Sequence, residues 1–203
     1  KEGAAEHKRI IDTYNSGLPK LPRGYKLQYD DAWCAATVSC IGIVLGISHV
    51  ILPECSCTKM IELYKMAGRW MEADDYVPEI GDLVMYAWDG KKGENTLAPD
   101  HVGMVVGYNG KNPLVLEGNY DNECKIREIC IEYVKVRGYC LPDYGSLVQG
   151  FADVPDDHPH AEGIAWGAAQ GIVLGVGDGL FEPDRPVTRG ELMTILYRQS
   201  KSK

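Results

Sequence analysis

Positive charge is scarce in this sequence, and long apolar runs are missing. Lys and Arg number 21 against 29 Asp and Glu, a formal net charge of −8 over 203 residues. Such an acidic chain, with pI near 5.1, repels phosphate backbones and anionic bilayers, which excludes nucleic acid and membranes as partners. The longest apolar stretch, Ile41 to Leu52, is interrupted by glycine, serine and histidine. It falls far short of the ~20 residues of a membrane span. No charged-then-apolar leader opens the chain, which starts at Lys1 rather than Met. A trimmed upstream segment, a secretion signal included, therefore stays open. Paired CxxC motifs and a D-x-D-x-D run are also missing, so neither a metal site nor a cofactor is expected.

What is present is ordinary globular composition, 45% hydrophobic and 25% charged, at a length that suits one domain plus a small module. The seven cysteines, 34, 40, 55, 57, 124, 130 and 140, form an odd set. At least one is unpaired within the chain, and the size permits a core without disulfides, so reduced thiols are expected. Cys124, Cys130 and Cys140 lie in apolar stretches and read as small core residues. Cys55-Ser-Cys57, with His49 upstream, is half of a zinc pattern without its other half.

Periodicity divides the chain. Ala5, Ile10, Ile11 and Tyr14 suit an amphipathic helix, and Gly17 to Gly24 carries loop residues. Ala32 to Leu45 is apolar nearly all round, the mark of a buried helix, and Thr58 to Ala67 is a third helix with Met60, Ile61, Leu63 and Tyr64 inward. Beyond Pro78 the segments 82–88, 101–108, 113–117, 124–131 and 134–140 are short and alternating or β-branched, separated by Gly, Asn and Asp. Helices first and antiparallel strands second predict an α+β domain over 1–145. Composition shifts near Gly150. The tail, 150–203, reads as an aromatic and acidic turn, a helix, the glycine-rich turn Gly175–Gly179, a proline pair and a last helix. Thr188 and Glu191 stand at capping-box spacing. A unit of that size leans on something else for stability.

Chemistry centres on Cys34. A cysteine in the first turn of a buried helix sits among exposed N–H groups whose field favours thiolate. A nucleophile needs a base, and His101, which opens the segment His101–Val106 after the loop Ala98–Asp100, is the best placed of five histidines. A third group should orient the imidazole. Glu117 is one choice and Asn119 the rival, since an amide oxygen accepts the same hydrogen bond. In the loop that follows Trp88, Asp89, Glu94, Asn95 and Asp100 offer oxygens, but Lys91 and Lys92 intervene, and a solvated loop is expected rather than calcium.

The run Tyr29-Asp-Asp-Ala-Trp-Cys34-Ala-Ala-Thr-Val-Ser39 resembles the nucleophile helix of the CHAP family (cysteine, histidine-dependent amidohydrolases/peptidases). Pro78-Glu-Ile-Gly-Asp82, Asp100-His-Val-Gly-Met-Val-Val106, Leu116-Glu-Gly-Asn119 and Arg137-Gly-Tyr139 follow in that family's order. Phage and prophage endolysins of Gram-positive bacteria, within the papain-like NlpC/P60 superfamily, are the most similar members. The resemblance implies a papain-like fold and cleavage of amide bonds in peptidoglycan. Cys34 is then the nucleophile, His101 the base and Glu117 the orienting acid with Asn119 nearby. The N-terminus of the Cys34 helix would supply an oxyanion N–H, worth about 2.7–4 kcal/mol per donor. Tyr29 is a wall of the site or a second donor, or else a packed loop aromatic, and Trp33 belongs to the same substrate side.

Phe151-Ala-Asp-Val-Pro-Asp, Trp166–Gly171, Gly175–Pro183 and Val187-Thr-Arg-Gly-Glu191 resemble one S-layer homology (SLH) module, with Gly190 where alanine is usual and Pro159-His160 where an aromatic pair is usual. This implies binding of secondary cell-wall polysaccharide, with Arg189 as the carbohydrate contact, unless Arg189 only pairs locally with Glu191 or Asp184. Such modules act in threes, and the single copy predicts a homo-oligomer through the tail or packing within the chain. The expected protein is a peptidoglycan hydrolase made in the cytoplasm and acting at the Gram-positive wall after lysis or secretion. It is an N-acetylmuramoyl-L-alanine amidase or an endopeptidase. A non-catalytic wall-binding or S-layer-associated protein is the alternative from another class, and a host autolysin the alternative to a phage lysin.

Overall fold

Residues at positions 7, 11 and 14 fall on one helical stripe, and α1 (Ala5–Ser16) buries His7, Ile11 and Tyr14 along it. Ala5, expected on that stripe, is exposed, and His7 takes the inner place. In the computed structural model, which describes residues 1–72, 76–89, 97–130, 135–144, 150–155 and 157–201, the chain divides into two compact units. The first comprises Lys1–Leu45 and Ile51–Pro142, the second Gly46–Val50 and Asp143–Lys203.

In the first unit α1 packs on α2 (Cys34–Leu45) around Ile11, Tyr14, Leu27, Trp33, Ala36 and Cys40. Each large apolar side chain buried there contributes about 1.5–3 kcal/mol. Cys34 through Cys40 and Gly42 are buried, and only the C-terminal turn, Val44 and Leu45, reaches solvent. α3 (Cys57–Met66) turns Met60, Ile61 and Tyr64 inward and is capped by the Ser56 hydroxyl.

Six strands follow: β1 (Trp70–Glu72), β2 (Leu83–Tyr86), β3 (His101–Asn109), β4 (Asn112–Tyr120), β5 (Glu123–Glu128) and β6 (Val136–Cys140). They form one sheet in the order β1-β6-β2-β3-β4-β5, antiparallel throughout. The turn between β4 and β5 is Asp121-Asn122, both at positive φ, the two-residue geometry that matches strand twist. β1 is three residues long, too short to leave a periodic signal. Two cysteines depart from expectation: Cys124 and Cys130 are exposed, and only Cys140 of that group is buried. On β5 the exposed face is 124, 126 and 128, so alternation places Cys124 outward. All seven thiols are free.

Where α2 crosses the sheet the backbones come very close. A Cβ built at Gly118 would overlap the Thr37 side chain, and one at Gly103 would lie within 2.6 Å of Glu117 Cγ. Gly118→Ala is expected to lower stability by about 1–3 kcal/mol, the range for an overpacked interior, as read from the urea midpoint at unchanged slope.

The second unit holds α4 (Ala161–Ala169) and α5 (Arg189–Lys201). The capping box forms: Glu191 N–H donates to Thr188 Oγ1 at 3.2 Å, and Thr188 N–H donates to Glu191 at 2.8 Å. Asp153 accepts the N–H groups of Phe181 and Glu182, and Phe151 packs on Phe181 with centroids 5.0 Å apart. Ile164 is buried, whereas Trp166, Leu192, Leu196 and Tyr197 remain exposed. Most of the joining segment, 145–149, lies outside the described residues.

Candidate active site

Cys34 is the first residue of α2 and is 4% exposed. Gly118 sets how closely this helix approaches β4, and β3 begins at His101, so the sheet and the helix start bring the two residues together. The thiol is held well below its ordinary pKa. The largest cause is a hydrogen bond from Cys57, opposed by burial and reinforced by His101 and by the Val102 N–H. Cys57, the first residue of α3, stands 3.6 Å away sulfur to sulfur. Its own thiol is driven up, first by the contact with Cys34 and then by burial. Either sulfur can donate in this contact, and the opposite directions of the two shifts favour Cys34 as the acceptor.

This asymmetry predicts a pH profile. A lowered pKa means that thiolate persists as pH falls, so alkylation of Cys34 by iodoacetamide should hold its rate well below pH ~8.5. Cys55, pushed up by burial, should lose its rate over that interval. His101→Ala removes one source of the depression and should move the Cys34 inflection upward, as read by mass spectrometry of the labelled peptides.

His101 is 5% exposed, and its Nε2 has no hydrogen-bond partner among the described residues. Aromatic rings enclose it: Trp88 at 5.6 Å, Tyr86 at 5.8 Å and Tyr120 edge-on at 5.8 Å between centroids. The backbone is fixed by pairing with Tyr86 across β2 and β3.

Neither expected orienting residue is hydrogen-bonded to this ring. Glu117 faces Gly103 across the β3–β4 ladder, two residues beyond His101 on the same face. Its carboxylate is 0% exposed and is taken by Arg127 of β5, through Nε and, at 3.1 Å, through Nη2. The guanidinium lies 3.9 Å over Tyr120 and 5.8 Å from the Tyr86 centroid. Glu117 thus anchors Arg127 against two of the three rings that enclose His101. A fully buried carboxylate demands such a partner, and β5 supplies the nearer one. Asn119 sits at φ +60° after the β4 irregularity, half-buried and without a hydrogen bond to His101.

The two residues assigned to the substrate side are elsewhere. The Tyr29 hydroxyl donates to Asp12 at 2.8 Å, and its ring lies edge-on to His7. Trp33 is buried in the α1–α2 core with His7 at 5.0 Å. Both precede the nucleophile in sequence, but the chain entering α2 directs them toward α1. The cleft in front of Cys34, about 390 Å³, is lined instead by residues that include Arg23, Tyr25, Asp31, Cys57 and Asp100. Tyr25 donates to Asp31 at 2.8 Å, and Arg23 forks onto Glu54 at 2.6 and 3.0 Å. Sequence spacing gave no hint of Arg23 or Tyr25, and Cys57 was visible only as half of a metal pattern. Among the described residues no group of three or more His, Cys, Asp or Glu side chains stands ready for one ion. Glu94 and Asn95 of the acidic loop lie outside the described residues, with Lys91 and Lys92.

In the second unit a groove of about 930 Å³ is lined by residues that include Leu174, Val176, Phe181, Arg185, Glu191 and Arg198. Arg185 takes the local pairing expected of Arg189, bonding Glu191 at 2.6 Å and Glu182 at 2.9 Å. That contact, with Thr188, holds the Glu191 carboxyl down at about 2. Arg189 is exposed at the helix start, pairs with neither Glu191 nor Asp184, and is not part of this lining.

Residues 150–193 match the S-layer homology domain, and this part of the chain is a module of cell-wall and S-layer association. A protein of Thermoanaerobacter kivui named "Cell surface protein" is 46% identical over 48 residues, 24% of this chain and 6% of that protein. The chain thus aligns with only a small fraction of that relative. No solved structure matches. No helix among the described residues is long and apolar enough to cross a membrane.

Proposed function

We propose that this protein is a wall-anchored, cysteine-dependent peptidoglycan hydrolase with a papain-like CHAP catalytic unit. The observation that carries the reading is the placement of Cys34: first residue of a buried helix, on a cleft, with His101 among the groups that lower its pKa. Resemblance of residues 10–145 to the CHAP family supports it, and so does the wall module at 150–193.

The thiolate attacks a stem-peptide or cross-bridge carbonyl carbon. The oxyanion that forms lies near the N–H groups of the first turn of α2. His101 donates a proton to the departing amine as the C–N bond breaks, leaving a thioester on Cys34. Water, deprotonated by the same imidazole, hydrolyses that thioester and restores the thiolate. Cys34 and His101 are the catalytic residues, and Glu117 acts on the ring only through Arg127 and the aromatic enclosure. The tail binds wall polysaccharide and raises the concentration of the catalytic unit at an insoluble substrate.

Purified Gram-positive wall incubated with the full chain should release muropeptides with new amine ends. Their masses distinguish a muramoyl–alanine amidase from an endopeptidase, and wall that stays intact would overturn the proposal. One observation favours a non-catalytic wall-binding protein: the family match, residues 150–193, lies in the tail. An active-site-directed electrophile that spares Cys34 in the native protein would select that second reading.

A further inference from the structure

A second thiol at a nucleophile has no part in amide hydrolysis, yet Cys57 Sγ stands 3.6 Å from Cys34 Sγ. Both line one cleft and begin helices. The placement is built rather than incidental. Glu54 is 4% exposed; it accepts the N–H groups of Cys55 and Ser56 at 2.7 and 3.0 Å and holds Arg23. Its own backbone is tied to α2: Ser39 Oγ donates to Glu54 O at 2.7 Å and accepts from Glu54 N–H at 3.0 Å. Two bonds from Ser39 thus tie Glu54 to the helix that carries Cys34, and two more tie its carboxylate to the backbone that leads into α3. A disulfide is ~2.05 Å long, so closure requires about 1.5 Å of approach, within reach of side-chain rotation and a slight helix shift.

We propose that Cys34 and Cys57 are a modification site, an oxidisable pair that hydroperoxides close into a disulfide and dithiols reopen. Its consequence for activity rests on the reading of Cys34 as nucleophile; formation of the bond does not. In the first step the Cys34 sulfur attacks one peroxide oxygen, the O–O bond breaks, and the departing hydroxide takes a proton and leaves as water. Cys34 is oxidised to the sulfenic acid. In the second step Cys57, giving its proton to the departing hydroxyl, attacks the Cys34 sulfur. The S–S bond forms, the S–O bond breaks, and a second water leaves. With hydrogen peroxide the sum is two thiols and one peroxide to one disulfide and two waters. A dithiol reverses it by two exchanges, returning both hydrogens and becoming the cyclic disulfide. The lowered pKa of Cys34 suits these roles, since thiolate is the form that peroxide oxidises. Cys57 then intercepts the sulfenic acid before it advances to the irreversible sulfinic acid.

The test uses the reduced full-length protein, hydrogen peroxide in slight excess, an iodoacetamide quench and peptide mapping without reductant. A peptide linking Cys34 to Cys57 within one chain is expected as the main product. Wall cleavage should fall by about tenfold or more and return with dithiothreitol. Cys57→Ala and Cys57→Ser, each read against its own untreated activity, should lose cleavage to peroxide without recovery, with Cys34 found as sulfinic acid. The proposal is overturned if wild-type Cys34 is recovered as sulfinic acid or linked to Cys55, or if both variants recover with dithiothreitol. If the linked peptide forms and reopens in a protein that never cleaves wall, the hydrolase reading fails and the pair stands. If cleavage is present and the peptide absent, only the pair fails.

Discussion

Cys34→Ala is expected to abolish muropeptide release while wall binding and the urea midpoint stay close to those of the parent. The argument is local. The side chain is small and lies at a helix start, where alanine is an excellent helix former. The replacement removes one sulfur from a site that opens on a cleft, so the folding cost should be near the lower end of core truncations, about 1 kcal/mol. Chemistry should fall by many orders of magnitude, because loss of the attacking atom leaves only the oxyanion donors and substrate binding. Cys40→Ala is the control. Cys40 is buried on the same helix but donates to the Ile10 carbonyl, with its pKa pushed up by burial to about 11, so it holds no thiolate at neutral pH. Residual cleavage by Cys34→Ala at the parental rate, measured by new amine ends, would remove Cys34 from the mechanism.

Arg127→Ala should produce the largest loss of stability of any single change in the sheet. It leaves the Glu117 carboxylate fully buried with its ionic partner gone, a situation that costs about 3–5 kcal/mol. The arginine also covers the faces of Tyr120 and Tyr86, and that packing is lost with it. Glu117→Gln is expected to be milder, since the amide oxygen still accepts from Arg127. Combining the two changes should recover part of the Arg127→Ala loss, because no charge then remains buried. Denaturant unfolding of the three variants measures each quantity, and a double variant no more stable than Arg127→Ala would show that packing dominates. Activity provides the second readout. If Glu117 works through the enclosure of His101, Glu117→Gln should retain more cleavage than His101→Ala.

Much of the first unit was legible because its elements are long enough to carry a period. Ala5, Ile10, Ile11 and Tyr14 repeat as a helix, and the strands alternate between turn residues. Ala32–Leu45 is apolar enough to read as a buried helix, although Ala32, Val44 and Leu45 reach solvent. The capping box at Thr188 and Glu191 was legible for the same reason: both partners lie within one turn. Longer-range pairings were not. The partner of Glu117 depends on the register of β5, which no local pattern fixes. The approach of Cys57 to Cys34 depends on Glu54 bridging Arg23, Ser39 and the start of α3, residues far apart in the sequence. Tyr29 and Trp33 mislead by proximity in sequence, since the entry to a helix can send neighbouring side chains in opposite directions. Arg189 was read as a carbohydrate contact from its place in a motif, and the local pairing with Glu191 that was its alternative is made by Arg185.

The outer strand of the sheet has a consequence for life on a solid support. β5 is the last strand in the order and, among the described residues, has a neighbouring strand on one side alone. Its sequence, Glu-Cys-Lys-Ile-Arg-Glu, places charges of both signs around the exposed Cys124 and Ile126. Chains gathered at high density on a polymer meet each other far more often than in dilute solution, and a bare, flat strand there would recruit its copies into a growing ribbon. Charged side chains on an outer strand discourage that growth. Lys125 and Arg127 also reach back to Asp121 and Glu117. Arg127, which braces the buried Glu117, is therefore also one of the charges that keep crowded molecules from zipping together.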